Sequence, residues 1–110
     1  ITERGVAALR RWLNEPATRE VEMRDTGLLK LYFGALLDQD AVIALAKREA
    51  ALHRRRLAIY QVIQAELQRD PALAFGLATV QMGLSYEELS VNFWENLAAH
   101  PPIVPPTSEP

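Results

Sequence analysis

Few residues in this chain could do chemistry. There is no cysteine, and the only histidines are His53 and His100, which leaves no thiolate nucleophile and no cysteine-type zinc site. His53 stands out because it interrupts an apolar repeat, Ile43, Ala46, Ala50, His53, Leu57, Tyr60, Gln64 and Leu67, that steps by three and four like a coiled-coil seam. Glu87 interrupts a second repeat, Leu73, Leu77, Val80, Leu84, Glu87, Val91, Trp94 and Ala98. Folding the chain back at Asp70 sets Leu67 opposite Leu73, Tyr60 opposite Val80, Leu57 opposite Leu84, Ala50 opposite Val91 and Ala46 opposite Trp94. The same register places His53 opposite Glu87. Such a pair can serve as a proton-sensitive switch or as a polar pair that fixes helix register. The structural role has the better claim, since buried ionic groups are weak evidence of anything more. Register alone leaves open whether the contact forms within one chain or between two. Two ligands with no third acidic or histidine neighbour on that face are too few for a metal, so neither metal nor cofactor is expected. Thr79, Ser85 and Ser90 form no nucleophile, base and orienter set at recognisable spacing, so no catalytic activity is expected.

The elements that must carry these residues are helical. Gly and Pro are sparse, and no strand of useful length appears between them. Thr2 is a good N-cap for a first helix to about Asn14 with an apolar stripe of Val6, Leu9 and Leu13. Pro16 and the mixed charges from Glu15 to Arg24 form a connection. Asp25 caps a second helix that carries Leu28, Leu29, Tyr32, Phe33 and Leu36 to a turn at Asp38. From Asp38 or Asp40 a third helix runs about 30 residues, roughly 45 Å, until Asp70-Pro71, which is both a stop and a start. A fourth helix then reaches about Ala99. The expected fold is all-α, with two short helices followed by a long antiparallel hairpin over residues 1–99. Residues 100–110, rich in proline, are expected to be an extended tail.

Composition narrows the function further. With 110 residues, 49% of them hydrophobic and 24% charged, the chain has room for one ordinary globular domain. It has no apolar run long enough to span a membrane and no secretory leader, so the expectation is a cytoplasmic protein. Fourteen acidic against twelve basic residues give a net charge of −2, unlike a domain that holds nucleic acid by itself. The clusters Arg10-Arg11 and His53-Arg54-Arg55-Arg56 fit a solvated face better than a phosphate contact. The chain begins with Ile1 rather than Met, which suggests a piece of something longer.

Each long helix has a second apolar stripe. In the third it is Leu45, Leu52, Ile59 and Ile63; in the fourth it is Phe75, Met82, Tyr86, Leu89 and Phe93. Gly76 and Gly83 lie beside the latter, as if another backbone came close. One hairpin cannot bury both stripes, and the short helices can cover only part of them. A symmetric homodimer is the expected cover, with Leu45, Leu52, Ile59, Ile63, Phe75, Met82, Leu89 and Phe93 at the interface in a coiled-coil-like assembly. Trp12, Tyr32, Tyr60, Tyr86 and Trp94 are candidates to line a pocket for a small aromatic or apolar effector, although aromatics at helical spacing are more often plain core.

Three segments together resemble a known family. ITERGVAALRRWL is similar to the stretch where the wing of a winged helix-turn-helix gives way to the next helix in PadR-like bacterial transcriptional regulators. DTGLLKLYFGALLD is similar to their following helix, rich in leucine and aromatics, and GLSYEELSVNFWENL to their final helix. The match spans about residues 1–98, and the closest type is the C-terminal region of virulence activator alpha. The resemblance implies an all-helical domain that dimerises a regulator, positions two DNA-reading domains and in some members shapes an effector pocket. DNA would then be contacted only through an N-terminal winged domain that precedes Ile1. The other reading is an independent helical small-molecule-binding module.

Overall fold

The computed structural model describes residues 1–17 and 19–103. Four α-helices occur in the order α1 (Glu3–Asn14), α2 (Thr26–Tyr32), α3 (Gln39–Leu67) and α4 (Ala74–Ala99), with no strand among the described residues. Local chemistry sets the helix starts. Thr2 Oγ1 accepts from the Gly5 amide at 3.0 Å, Asp25 Oδ1 from Leu28 at 3.0 Å, and Asp38 Oδ1 from Ala41 at 2.8 Å, each satisfying an amide that the first turn would leave unpaired. At the hairpin bend Asp70 Oδ1 accepts from the Ala72 amide at 2.9 Å, and Pro71 opens a short 3-10 turn, Pro71–Leu73, that leads into α4.

One boundary differs from the sequence expectation. The second helix does not run to Asp38; it stops at Tyr32, and Gly34–Leu36 form a 3-10 turn instead. The Leu36 amide bonds to Phe33 at 3.1 Å and that of Leu37 to Gly34 at 2.9 Å. Glycine lowers helix stability by about 1 kcal/mol, enough to let the tighter turn take over before α3.

The long helices pack antiparallel against each other in the expected register. Trp94 is 1% exposed and packs with Leu45, Ala46 and Ala50, a large side chain filling the room left by two alanines, as close packing requires. Val42, Leu84 and Val91 complete the buried apolar set. All of these residues lie in the half of the hairpin away from the Asp70 bend. Toward the bend the seam residues Leu57, Tyr60, Gln64, Leu67, Leu77 and Val80 are only half-buried.

The short helices behave differently from one another. Leu31 of α2 packs on the core cluster, so α2 covers the start of α3. No residue of α1 is buried, and its Leu9, Trp12 and Leu13 face solvent. Of the expected tail, residues 104–110 lie outside the described residues. Ile103 is exposed.

Candidate functional site

His53 and Glu87 meet inside one chain. Helix α3 presents the imidazole and α4 the carboxylate, each 3% exposed, with Nδ1 of His53 2.5 Å from Oε2 of Glu87. Nδ1–H donates to the carboxylate. On the other side of the ring Nε2 lies 3.9 Å from Oε2 of Glu49, one turn earlier on α3, a Coulombic contact beyond hydrogen-bond range. The Tyr86 ring stands edge-on to the imidazole at a centroid distance of 6.2 Å. The histidine thus sits between two carboxylates, with an aromatic wall beside them. Among the described residues no buried side-chain nitrogen or oxygen lacks a partner, and no group of three His, Cys, Asp or Glu could hold a metal ion.

Glu49 owes its position to α2. A Cβ placed on Gly27 would lie 2.6 Å from the Glu49 carboxyl carbon, so only glycine lets the helix come this close with the carboxylate in place. Gly27, Glu49, Leu52, His53 and Tyr86 line a small cavity of about 290 Å³, with Arg24 and Arg56 also in its wall. Spacing along α3 did not single out Glu49, because its role depends on how α2 docks. Gly27, in the first turn of an otherwise leucine-rich helix, is the available clue.

The residues expected at an interface divide into two groups. Ile59, Ile63, Phe75, Met82, Leu89 and Phe93 are all exposed, Phe75 at 90% and Met82 at 76%, and Val62 adds to them at 65%. Leu45 departs from the expectation: it is 3% exposed, enclosed by its own chain because Leu31 of α2 packs on its cluster. Leu52 is half-buried beside Gly27 for the same reason. Leu52 and Tyr86 share one cavity wall, so the second stripes of α3 and α4 approach each other there. Helix α2 covers the Leu45 and Leu52 end of the α3 stripe and leaves Ile59 and Ile63 exposed.

The five aromatics expected to form an effector pocket do not line one cleft. Trp94 is core, Tyr86 stands beside His53, and Tyr32 is 82% exposed, edge-on to Phe33. Trp12 belongs to a separate hollow formed by the end of α1 and the residues after it. Tyr60 lies against Gly83, where a Cβ would be 3.1 Å from its ring; that glycine admits a side chain rather than another backbone. Gly76 has only ordinary contact with the Leu67 methyls. A roomier apolar groove lies elsewhere, about 770 Å³ between α2 with its 3-10 turn and the first turns of α3, lined by Leu29, Phe33, Leu36, Leu37 and Leu45 among others. Aromatic spacing could not find it, because the groove arises from the break at Phe33.

The basic cluster on α3 is partly engaged within the chain. Arg54 Nη2 lies 2.6 Å from Glu95 Oε1 across the hairpin, an exposed ion pair worth about 0–1 kcal/mol. The hydroxyls of Thr79 and Ser90 donate to the carbonyls of Phe75 and Tyr86 one turn back, an ordinary use of such groups in helices.

This helical order, with a leucine-rich α2 leading into a long hairpin, is what comparison with protein families matches: the family described as virulence activator alpha, C-terminal, covers residues 23–99. The chain belongs to that family. No curated protein and no solved structure shows a significant match. The virulence activator alpha C-terminal match takes in α2, the hairpin, the His53–Glu87 pair and the open apolar face, and leaves α1 outside. Such a domain is a regulatory one. Among the described residues no helix is long and apolar enough to cross a membrane.

Proposed function

We propose that this chain is the dimerisation and effector-sensing domain of a PadR-like transcriptional regulator, which holds two DNA-reading domains at a fixed separation. The observation that carries the reading is the open apolar face of the hairpin. Ile59, Val62, Ile63, Phe75, Met82, Leu89 and Phe93 are each exposed, more large apolar side chains than one hairpin covers, and exposed apolar surface marks association sites where it is extensive. A two-fold axis through that face would pair the hairpins through the same patch on each copy. The chain's net charge of −2 supports DNA contact through a separate winged domain rather than through these helices. An effector that changes the crossing of the paired hairpins would change the spacing of the DNA-reading domains and so their joint grip on two half-sites.

Sedimentation velocity tests the face directly. The wild-type chain is expected to run as a dimer, and Met82→Asp and Leu89→Asp, both on exposed positions, as helical monomers. A monomeric wild type, or intact dimers for both variants, overturns the proposal.

The groove beside α2 favours a second reading, an independent helical small-molecule-binding module. The coding sequence immediately upstream of Ile1 separates the two: a winged helix-turn-helix there supports the regulator, and a start codon at that point supports the module.

A further inference from the structure

We propose that the groove between α2 and α3 is a binding site for an amphiphilic monocarboxylate with a straight hydrocarbon tail. At about 770 Å³ the groove falls within the range of small-molecule sites, about 300–1,000 Å³. Its lining is Leu29, Phe33, Leu36, Leu37, Ala41, Ala44 and Leu45 with two cations, Lys30 and Arg48, and no acidic residue. That is a local departure in a chain with more acids than bases. Four other hollows along the molecule each carry at least one acid in their walls, Glu95, Glu15, Asp25, or Asp25 with Glu49.

Neither cation is committed elsewhere. The ion pairs among the described residues use His53, Arg54 and Arg69, and neither Lys30 nor Arg48 takes part. An apolar trough with two free cations in its wall selects a ligand with a negative head and a greasy body. Arginine offers a planar fork that matches a carboxylate, and lysine a mobile point charge. The apolar lining is aliphatic apart from Phe33, which suits an alkyl chain better than a planar ring, since stacking calls for more than one aromatic wall. The groove floor is also connected to the core: Leu45 lines it and packs in one cluster with Trp94, so an occupant would press on the packing between α3 and α4.

Methyl NMR of the full chain, titrated with decanoate below its micellar concentration, tests the site. Shifts are expected on Leu29, Leu36, Ala44 and Leu45. Changing Lys30→Ala together with Arg48→Ala, both on exposed positions, should weaken binding about tenfold or more, the usual size for charge-assisted hydrogen bonds. Decyltrimethylammonium, with the same tail and opposite charge, should not shift these methyls. Equal binding of the cationic amphiphile, or decanoate shifts confined to the Met82 and Leu89 face, overturns the assignment. So would contacts from α1 or a second copy to the groove methyls combined with no response to decanoate. The readout is per chain and stands apart from the dimer: a monomer that binds decanoate leaves this site intact, and a dimer that ignores it removes this site alone.

Discussion

A histidine and a carboxylate sealed in an apolar seam are stable only as a pair. Removing one partner strands the other without solvent, which for buried pairs costs about 3–5 kcal/mol, whereas exchanging both for well-packed apolar residues is often neutral or stabilising by about 1–4 kcal/mol. Accordingly Glu87→Ala and His53→Ala should each lower the urea midpoint sharply, and His53→Leu with Glu87→Leu should recover most of the loss. If the double variant is less stable than either single one, the pair holds more than its mutual contact. Seam register alone was enough to set His53 opposite Glu87, because both helices are regular and the bend at Asp70-Pro71 is fixed by its residue types. The third member, Glu49, is not legible in the spacing, since the room for its carboxylate is left by Gly27, in an element distant in sequence. Leu45 is enclosed rather than exposed for a related reason: periodicity gives the side of the helix it occupies but not whether α2 comes to rest there.

Helix beginnings in this chain are written locally, and helix contacts are not. Thr2, Asp25, Asp38 and Asp70 each accept a bond from a first-turn amide; Thr2, Asp25 and Asp70 can be named from residue type and the pattern that follows, while at the third helix sequence leaves Asp38 and Asp40 as alternatives. Loss of such a cap costs about 1 kcal/mol. Asp38→Ala should therefore destabilise the fold by about that amount in thermal unfolding, while Asp38→Asn, which keeps the acceptor, should change it by much less. The end of α2 was harder to place, because the apolar run continues through Leu36 and Leu37 while the backbone turns to a 3-10 form at Gly34. That break gives the groove its shape, so the element boundary read least well is also the one that creates a binding surface. Restoring helix there by Gly34→Ala is expected to narrow the groove, seen as weaker decanoate binding with helicity unchanged or higher by circular dichroism.

At the scale of the molecule the chain is a rod with a thin core. Its extents are 73 × 33 × 16 Å and its radius of gyration is 20.5 Å, against about 13 Å for a compact domain of this length. Among the described residues seven apolar ones are buried, and the large exposed ones far outnumber them. If a chain this short of core associates as proposed, the stability it gains that way follows mass action. The melting temperature should rise with protein concentration for the wild type and become insensitive to it in Leu89→Asp. The hairpin and its length are readable from spacing, because a periodic pattern reports what must be covered. What it omits is the share covered by α2.

The buried residues of the hairpin gather between Val42 and His53 on α3 and between Leu84 and Trp94 on α4, and the stretch around the bend has none. An isolated copy is therefore a zip fastened at its open end, with a slack loop at the other. Amide protons between about residues 55 and 83 should exchange with solvent well before those beside Trp94, through local openings that leave the fastened end closed. A companion chain would then meet a pliable tip that can adjust its path as the two seat, followed by a stiff base that does not.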